Sequence, residues 1–377
     1  MRLFDTKLKR VGLRDRKTWH DLACPNGQLI SPYLLPEFAD LINAERRDVR
    51  VVIAEDGSEP VGFFAYHAPI GGIARPVGAP LSDYQGFAAG PNFRINGRDL
   101  LDAISADALV YDNWHGNAPG KVRQNHGSTR IDLSEGSEAW FARHKAMHKS
   151  QFKKIAQRQR KAEREFGPIS IVFGDPDQTR FEFLRVQKSV QYQQSGLYDL
   201  TTHDWTARVF ENAALRNRGP LKGLMASLYL GEQLVAVEMG LRSGSTYHSW
   251  IPAYAPEFSS VSPGLLLLNG IIERAEELGI SYIDLGLAEQ NYKKYFGDFD
   301  TPTASGRLLK PSLVGARVVA WEHTEKLAQH LPGKLSTIPG KLRRRWAQTA
   351  AIAPGNAKRL TLMASALANA QKRLNAV

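Results

Sequence analysis

Residues 262–296 read SPGLLLLNGIIERAEELGISYIDLGLAEQNYKKYF, and this stretch decides the fold. Ser262-Pro263-Gly264 opens a helix: serine is a good N-cap, and proline at the first helical position loses no needed hydrogen bond. Gly264 lets a ligand come close to the backbone. A helix N-terminus with free N–H groups and a partial positive charge is a ready anion site, so Ser262, Pro263, Gly264 and Leu265 are its candidate binding residues. The helix runs to Leu278, a strand follows at Tyr282–Leu285, and a second helix is expected over Glu289–Phe296.

Upstream, three strands alternate with tight turns: Lys222–Leu230, Gln233–Leu241 and Ser245–Pro252, separated by Gly231-Glu232 and Arg242-Ser243-Gly244. The loop 253–262 leads from the last of them into the helix. Before them come a strand at Ile169–Phe173, helices at Gln178–Gln194 and His203–Asn217 with a Tyr198-Asp199 loop between, and a long helical segment Ser137–Phe166, interrupted near His144 and stopped by Gly167-Pro168. In that segment Phe152, Ile155, Gln159, Ala162 and Phe166 share one face, and Lys149, Lys153, Lys154, Arg160, Lys161 and Arg164 the other. A strand near Ser305–Lys310 closes the set. No G-x-x-x-x-G-K-[ST] loop occurs in the chain.

A shorter version of the same order runs from 51 to 111. Val51–Ala54 and Val61–Tyr66 form a hairpin, Arg98–Ala108 a helix and Ala108–Tyr111 a strand, which points to internal duplication. Residues 112–130, rich in Gly, Asn, His and Pro, mark the boundary. The expected division is 1–130, 131–310 and a basic, helical tail 311–377 broken at Pro332, Pro339 and Pro354.

With 377 residues, two domains are the default at roughly 100–200 residues each. The only cysteine, Cys24, excludes an intramolecular disulfide and fits a reducing compartment. The N-terminus, MRLFDTKLKRVGLRDRK, has no apolar core of a signal peptide, and the longest apolar run, Leu265–Leu268, is far too short to span a bilayer. A soluble cytoplasmic chain is expected, at most peripheral on the inner membrane surface. The net charge of +11 is local: 143–165 carry +7, 311–377 carry +9, and the rest sums to −5. Two basic segments on a mildly acidic body suit contact with phosphate-bearing partners. No metal is expected, because neither His115 with His126 nor His144 with His148 has a third ligand at usual spacing.

Taken together, Ser262-Pro263-Gly264-Leu265-Leu266-Leu267, Gly279, Asp284-Leu285-Gly286 and Asn291-Tyr292-Lys293-Lys294-Tyr295-Phe296 resemble the BioF2-like, CelD (BcsL)-type acetyltransferases of the GNAT superfamily, relatives of the FemXAB peptidyltransferases. His148–Lys154 looks like the family's basic helix, Ser31-Pro32-Tyr33 with Pro36-Glu37-Phe38 like its entry motif, and Ser82-Asp83-Tyr84 like a recurring element of its first half. The resemblance covers residues 28–310. It implies an α+β fold of tandem GNAT-like domains, each a mostly antiparallel sheet flanked by helices, the first degenerate. It also implies acetyl-CoA or another acyl-CoA as co-substrate, held by its pyrophosphate at Ser262–Leu265. Polysaccharide synthesis is the expected setting.

Acyl transfer needs a deprotonated acceptor, a held thioester and a proton for the leaving thiolate, with much of the acceleration coming from proximity. Tyr292 is placed to supply that proton, with Tyr295 in reserve one turn away. Lys293 is a point charge for phosphate. Asp284 ends a strand at the presumed cleft and can act as base or orienting group. His248 shares a strand face with Thr246 and Trp250 and is the natural base near neutral pH. Glu238, between Val237 and Met239, is a buried-acid candidate, and Asp83 enters through the resemblance. The expected activity is N- or O-acyl transfer to a sugar, an amine or a cell-envelope precursor. The alternatives are a Fem-like aminoacyl-tRNA-dependent transferase and a non-catalytic scaffold of a polysaccharide-synthesis complex. Nucleic acid is not the expected partner of the leading reading. Arg343-Arg344-Arg345-Trp346 in the tail would dock on an anionic membrane or a complex partner.

Overall fold

The computed structural model describes residues 1–195, 199–202, 204–287 and 291–328, with positions 330, 336, 340, 342, 346, 349 and 353 beyond them. Two halves repeat one order of elements. The first comprises β1 (Arg2–Lys7), α1 (Leu13–Ala23), α2 (Pro36–Arg46), β2 (Val49–Asp56), β3 (Glu59–Ile70), β4 (Ile73–Pro76), the short β5 (Ala88–Ala89), α3 (Gly97–Ala103), β6 (Ala108–His115) and β7 (Lys121–Asp132). Helices α4 (Ser137–Met147) and α5 (Lys149–Phe166) lead into the second. That half comprises β8 (Ile169–Gly174), α6 (Gln178–Ser195), α7 (Asp204–Ala214), β9 (Lys222–Leu230), β10 (Gln233–Ser243), β11 (Thr246–Tyr254), α8 (Pro263–Arg274), β12 (Tyr282–Asp284), α9 (Lys293–Phe296) and β13 (Phe299–Leu309), followed by α10 (Leu313–Ala328).

Among the described residues the strands form one sheet in the order β1-β2-β3-β4-β6-β13-β7-β12-β11-β10-β9-β8, with β5 beside β3. Pairing between these strands is antiparallel except for β4–β6 and β11–β12, which occupy the same place in the two halves. The fold is the mixed α+β arrangement expected from the sequence, a mostly antiparallel sheet flanked by helices. Each half has passed its last strand to the other: β7 lies beside β12 and β13 beside β6. The two exchanged strands also pair with each other, from Phe299–Arg130 to Arg307–Lys121.

The helices join the halves as well. Trp19 of α1 and Phe38 and Ile42 of α2 share one apolar core with Phe210 of α7 and with Met239 and Ile251 of the second half. The opposite sheet face of the second half is covered by α4, α5 and α8, through Trp140, Phe152, Leu267 and Ile271. Phe64, Leu100, Tyr111 and Trp114 fill the corresponding space in the first half.

Several elements differ from the sequence reading. Strand β1 and helices α1 and α2 are additional to the sequence reading: no residue of β1 is buried and α1 buries only Trp19 and Ala23, so these two show no apolar period. The region 112–130 is largely strand, because β6 continues to His115 and β7 begins at Lys121. Its residues are polar because most of β7 before Ser128 is solvent-accessible. The long helix breaks at His148 rather than His144. His148 (φ −124°) ends α4, whereas His144 is buried, with its ring nitrogens 3.0 Å from Tyr295 O and 3.0 Å from Asp298 Oδ1. The last strand starts at Phe299, and the helix expected over 289–296 begins at Lys293. Tyr198, His203, residues 288–290 and Arg343-Arg344-Arg345 lie outside the described residues, as does most of the tail beyond α10.

Candidate active site

β11 and β12 run parallel through Thr246–Tyr282, Tyr247–Ile283 and His248–Asp284, and there they part. β12 stops at Asp284, while β11 continues to Tyr254 along β10. A bulge accompanies the divergence: Met239 faces Ile251 and Gly240 faces Ser249, so Trp250 is the extra residue, and the strand bends at that point. On the far side of β12, Asp284 is directly opposite Arg130 of β7. Arg130, Asp284 and His248 therefore stand side by side on three neighbouring strands.

The first half completes the cluster. β4 and β6 also run parallel and part, and the segment 77–87 crosses to β6 beyond that point. Gln85 stitches it down, its N–H donating to Asn113 O (2.9 Å) and its carbonyl accepting from His115 N (2.7 Å). Gly86 has φ +131°, and a Cβ there would lie 2.9 Å from His115 O, so only glycine fits. Trp250 Nε1 donates to Leu81 O at 3.0 Å, tying the segment to the bulged strand. These anchors deliver Asp83 and Tyr84 to the point where β11 and β12 part. A short turn capped by Ser31, whose hydroxyl accepts from Tyr33 N, sets the Tyr33 ring edge-on to His248 at 4.9 Å.

Asp284 is fully buried and heavily bonded. It accepts from Tyr84 Oη (2.7 Å), Ser128 Oγ (2.7 Å), Arg130 Nε (3.1 Å) and Gly286 N (2.8 Å). Burial opposes its charge, but His248, Arg130 and Tyr84 outweigh burial and hold the carboxyl well below the usual range. His248 is also fully buried. Its Nε2 lies 3.0 Å from Asp83 Oδ2. Its Nδ1 is 3.5 Å from Asp284 Oδ1, an ion-pair contact without hydrogen-bond alignment. Burial would lower the imidazole; the two carboxylates override it and raise the ring to about 9. Asp83, about one-third exposed, is the end of this carboxylate–imidazole–carboxylate line that reaches solvent.

Three of the five catalytic candidates, Asp83, His248 and Asp284, thus converge. Glu238 and Tyr292 make no hydrogen bond to them, although the Glu238 carboxyl feels the His248 charge. Glu238 accepts from Tyr247 Oη at 3.1 Å, and Tyr247 points to the opposite face of β11 from His248. Burial pushes the Glu238 carboxyl up, and burial with the nearby Glu238 charge keeps the half-buried Tyr292 phenol protonated. Tyr295 packs edge-on against His148 at 5.4 Å.

Lys293 is buried, and its ammonium donates to Leu285 O (2.8 Å), Gly286 O (2.9 Å) and Leu287 O (2.8 Å). All three of its donors are spent on the loop leaving β12, which leaves none for a phosphate in this conformation. At α8, Pro263 has no N–H, and Leu265 N and Leu266 N both donate to Ser262 O (3.0 and 3.3 Å). The exposed Gly264 N–H is what the first turn offers an anion, and a Cβ on Gly264 would meet nothing within 4 Å. No cluster of His, Cys, Asp or Glu suited to a metal occurs among the described residues, and no described helix is long and apolar enough to cross a membrane.

Tyr33, Tyr84, Ser128 and Arg130 were not singled out as site residues from the sequence. Tyr33 and Tyr84 belong to the two short N-terminal motifs, Ser31-Pro32-Tyr33 and Ser82-Asp83-Tyr84, of which only Asp83 carries a role in the sequence reading. Ser128 and Arg130 gave no signal, because the strand that carries them read as a linker.

Residues 149–294 match the acetyltransferase (GNAT) domain family. No curated protein matches the chain. Among solved structures the chain is similar to a tandem GNAT protein from the clavulanic acid biosynthesis pathway, at 13% identity over 82% of this chain and 99% of that one, with a TM-score of 0.46. It is also similar to FemX, at 11% identity over 78% and 94%, with a TM-score of 0.47. A GCN5-related N-acetyltransferase from Kribbella flavida aligns at 10% identity over 74% and 97%, with a TM-score of 0.39.

Proposed function

We propose that this chain is an acyltransferase that moves an acetyl or longer acyl group from coenzyme A to an amine or hydroxyl, with a sugar or sugar-linked envelope precursor as acceptor. The observation that carries the reading is the parting of β11 from β12 beside the buried Asp83–His248–Asp284 line. Among the described residues, the β12-facing edge of β11 has no strand partner past His248, so the backbone groups there that no side chain takes are open to an extended amide-bearing ligand. Lys188 Nζ and Gln191 Nε2 of α6 reach carbonyls of this stretch, Pro252 O and Tyr254 O, at 3.0 and 3.5 Å.

In this reading Asp83 takes the proton from the attacking group. His248, cationic at neutral pH between its carboxylates, orients Asp83 and is not itself the base. Asp284 fixes the imidazole and is in turn held by Tyr84, Ser128 and Arg130. The protonated phenol of Tyr292 serves the leaving thiolate. Gly264 approaches the pyrophosphate, and Lys293 fixes the loop beside it. Calorimetry with acetyl-CoA and longer acyl-CoAs, on protein shown to be folded, tests the proposal. Micromolar binding supports it, and no binding of any coenzyme A species ends it.

A second reading rests on α5, where Lys149, Lys153, Lys154, Arg160 and Arg164 are exposed along one helix. A transferase using aminoacyl-tRNA would bind charged tRNA with an affinity falling steeply in salt. Salt-insensitive or absent binding removes it.

A further inference from the structure

On the first-half side of the buried cluster lies a cleft of about 470 Å3 that the proposed chemistry does not use. It is separate from the Asp83 end of the line: neither Asp83 nor His248 lines it. Tyr84 and Arg130 form the partition. The Tyr84 ring lies 6.1 Å from His248 on one side and 6.1 Å from His115, in the cleft wall, on the other. Arg130 lines the cleft and donates through Nε to Asp284.

The lining combines two chemistries. Phe93 and Phe299 supply aromatic surface, with the buried Trp114 behind them, and Phe299 is 43% exposed. Gln28, His115 and Asn117 supply amides and an imidazole. His115 is partly exposed in the cleft wall, and its Nδ1 is buried with no hydrogen-bond partner among the described residues. Burial lowers the His115 pKa, so the ring is neutral and can accept as well as donate. The Arg130 charge is already matched by Asp284, so the cleft has no unbalanced cation calling for an anionic ligand. Aromatic faces suit the C–H faces of a pyranose, and neutral amide and imidazole groups suit its hydroxyls.

We infer that this cleft is a second ligand site, back to back with the reaction site, and that it takes a neutral saccharide ring. It does not depend on the acyltransferase reading, although a sugar-linked acceptor would place both ligands on one molecule.

Saturation-transfer NMR on the full chain tests it, with N-acetylglucosamine, cellobiose, glucose 1-phosphate and cyclohexanol as separate probes and coenzyme A in a parallel sample. The expected result is transfer to ring protons of a neutral sugar. That transfer falls at least about five-fold in both Phe299→Ala and His115→Phe, and the coenzyme A signal is unchanged. Phe299 is exposed, and phenylalanine replaces the imidazole with similar volume, so the fold should survive; near-ultraviolet circular dichroism checks this. The inference is overturned if neither neutral sugar responds, if the response persists in both variants, or if cyclohexanol responds equally. A stronger response from glucose 1-phosphate overturns the charge argument and with it the assignment. A silent coenzyme A sample counts against the proposed function alone.

Discussion

Between about pH 6 and about pH 10 the folded chain gives up the proton that His248 holds between two carboxylates. The ring is fully buried, with Nε2 3.0 Å from Asp83 and Nδ1 3.5 Å from Asp284. Burial alone depresses an imidazole, but the Asp284 and Asp83 charges lift it from 6.5 to about 9. A folded pKa above the unfolded one stabilises the folded state fully below the unfolded value, and this stabilisation is lost as pH rises through the folded value. At ~1.4 kcal/mol per unit, the contribution at stake is about 3 kcal/mol. Urea unfolding of the wild type and His248→Gln at the two pH values isolates it, because every other titrating group is common to both proteins. The wild-type advantage should shrink by about 3 kcal/mol on going to high pH. The 15N signals of the ring should be those of imidazolium near neutral pH. An advantage that stays flat, with a neutral ring at neutral pH, refutes the ion-pair reading and returns His248 to the role of base.

Other substitutions separate the roles of its neighbours. Asp83→Asn should cut kcat roughly 10²–10⁴-fold in a thiol-release assay while acyl-CoA affinity stays within about two-fold, as loss of a proton acceptor predicts. Gly286 has φ +72°, and a Cβ there would lie 3.0 Å from Asp83 Oδ2. Gly286→Ala should therefore cost about 1–2 kcal/mol and lower kcat more than it raises KM, measured by thermal unfolding and steady-state kinetics. Lys293→Met leaves three carbonyls without their cation and should lower stability by roughly 2–4 kcal/mol with unchanged acyl-CoA affinity. A fall in affinity with stability intact would assign the lysine to phosphate instead.

The second half was legible in the sequence because its strands are apolar and its turns are marked by glycine; β9 to β11, α8 and β12 fall close to where the pattern put them. The first half was less legible. α1 buries little, β1 is an edge strand without a buried residue, and β7 is polar because it pairs with two strands but packs little until Ser128. The same property hid Arg130 and Ser128, whose importance comes from pairing register. Period and composition could find His248 and Asp284, each placed by its own strand. They could not show that Asp83, 165 positions away in the chain, bonds His248. Nor could they show that Lys293, surrounded by charge and aromatics in the sequence, turns inward to three carbonyls.

The exchange of last strands explains why the cluster belongs to both halves. Asp284 sits at the end of a three-residue strand with little hold of its own. Its position is set by β11 on one side and by β7 on the other, and β7 is continuous with the first half. Arg130 and Ser128 therefore arrive by strand exchange, Asp83 and Tyr84 by the segment that crosses from β4 to β6, and Tyr33 by the turn before α2. A buried carboxylate with a cation opposite it is tolerable only while its partners hold; removing one leaves an uncompensated charge, at a cost of about 3–5 kcal/mol. Any motion that opened β7 from β12 would remove Arg130 and Ser128 from Asp284 at once. The electrostatics of the cluster thus oppose separation of the halves, and the docking of the halves in turn fixes Asp83 against His248. Fold and site are stabilised by the same contacts, so the first half cannot be dispensed with.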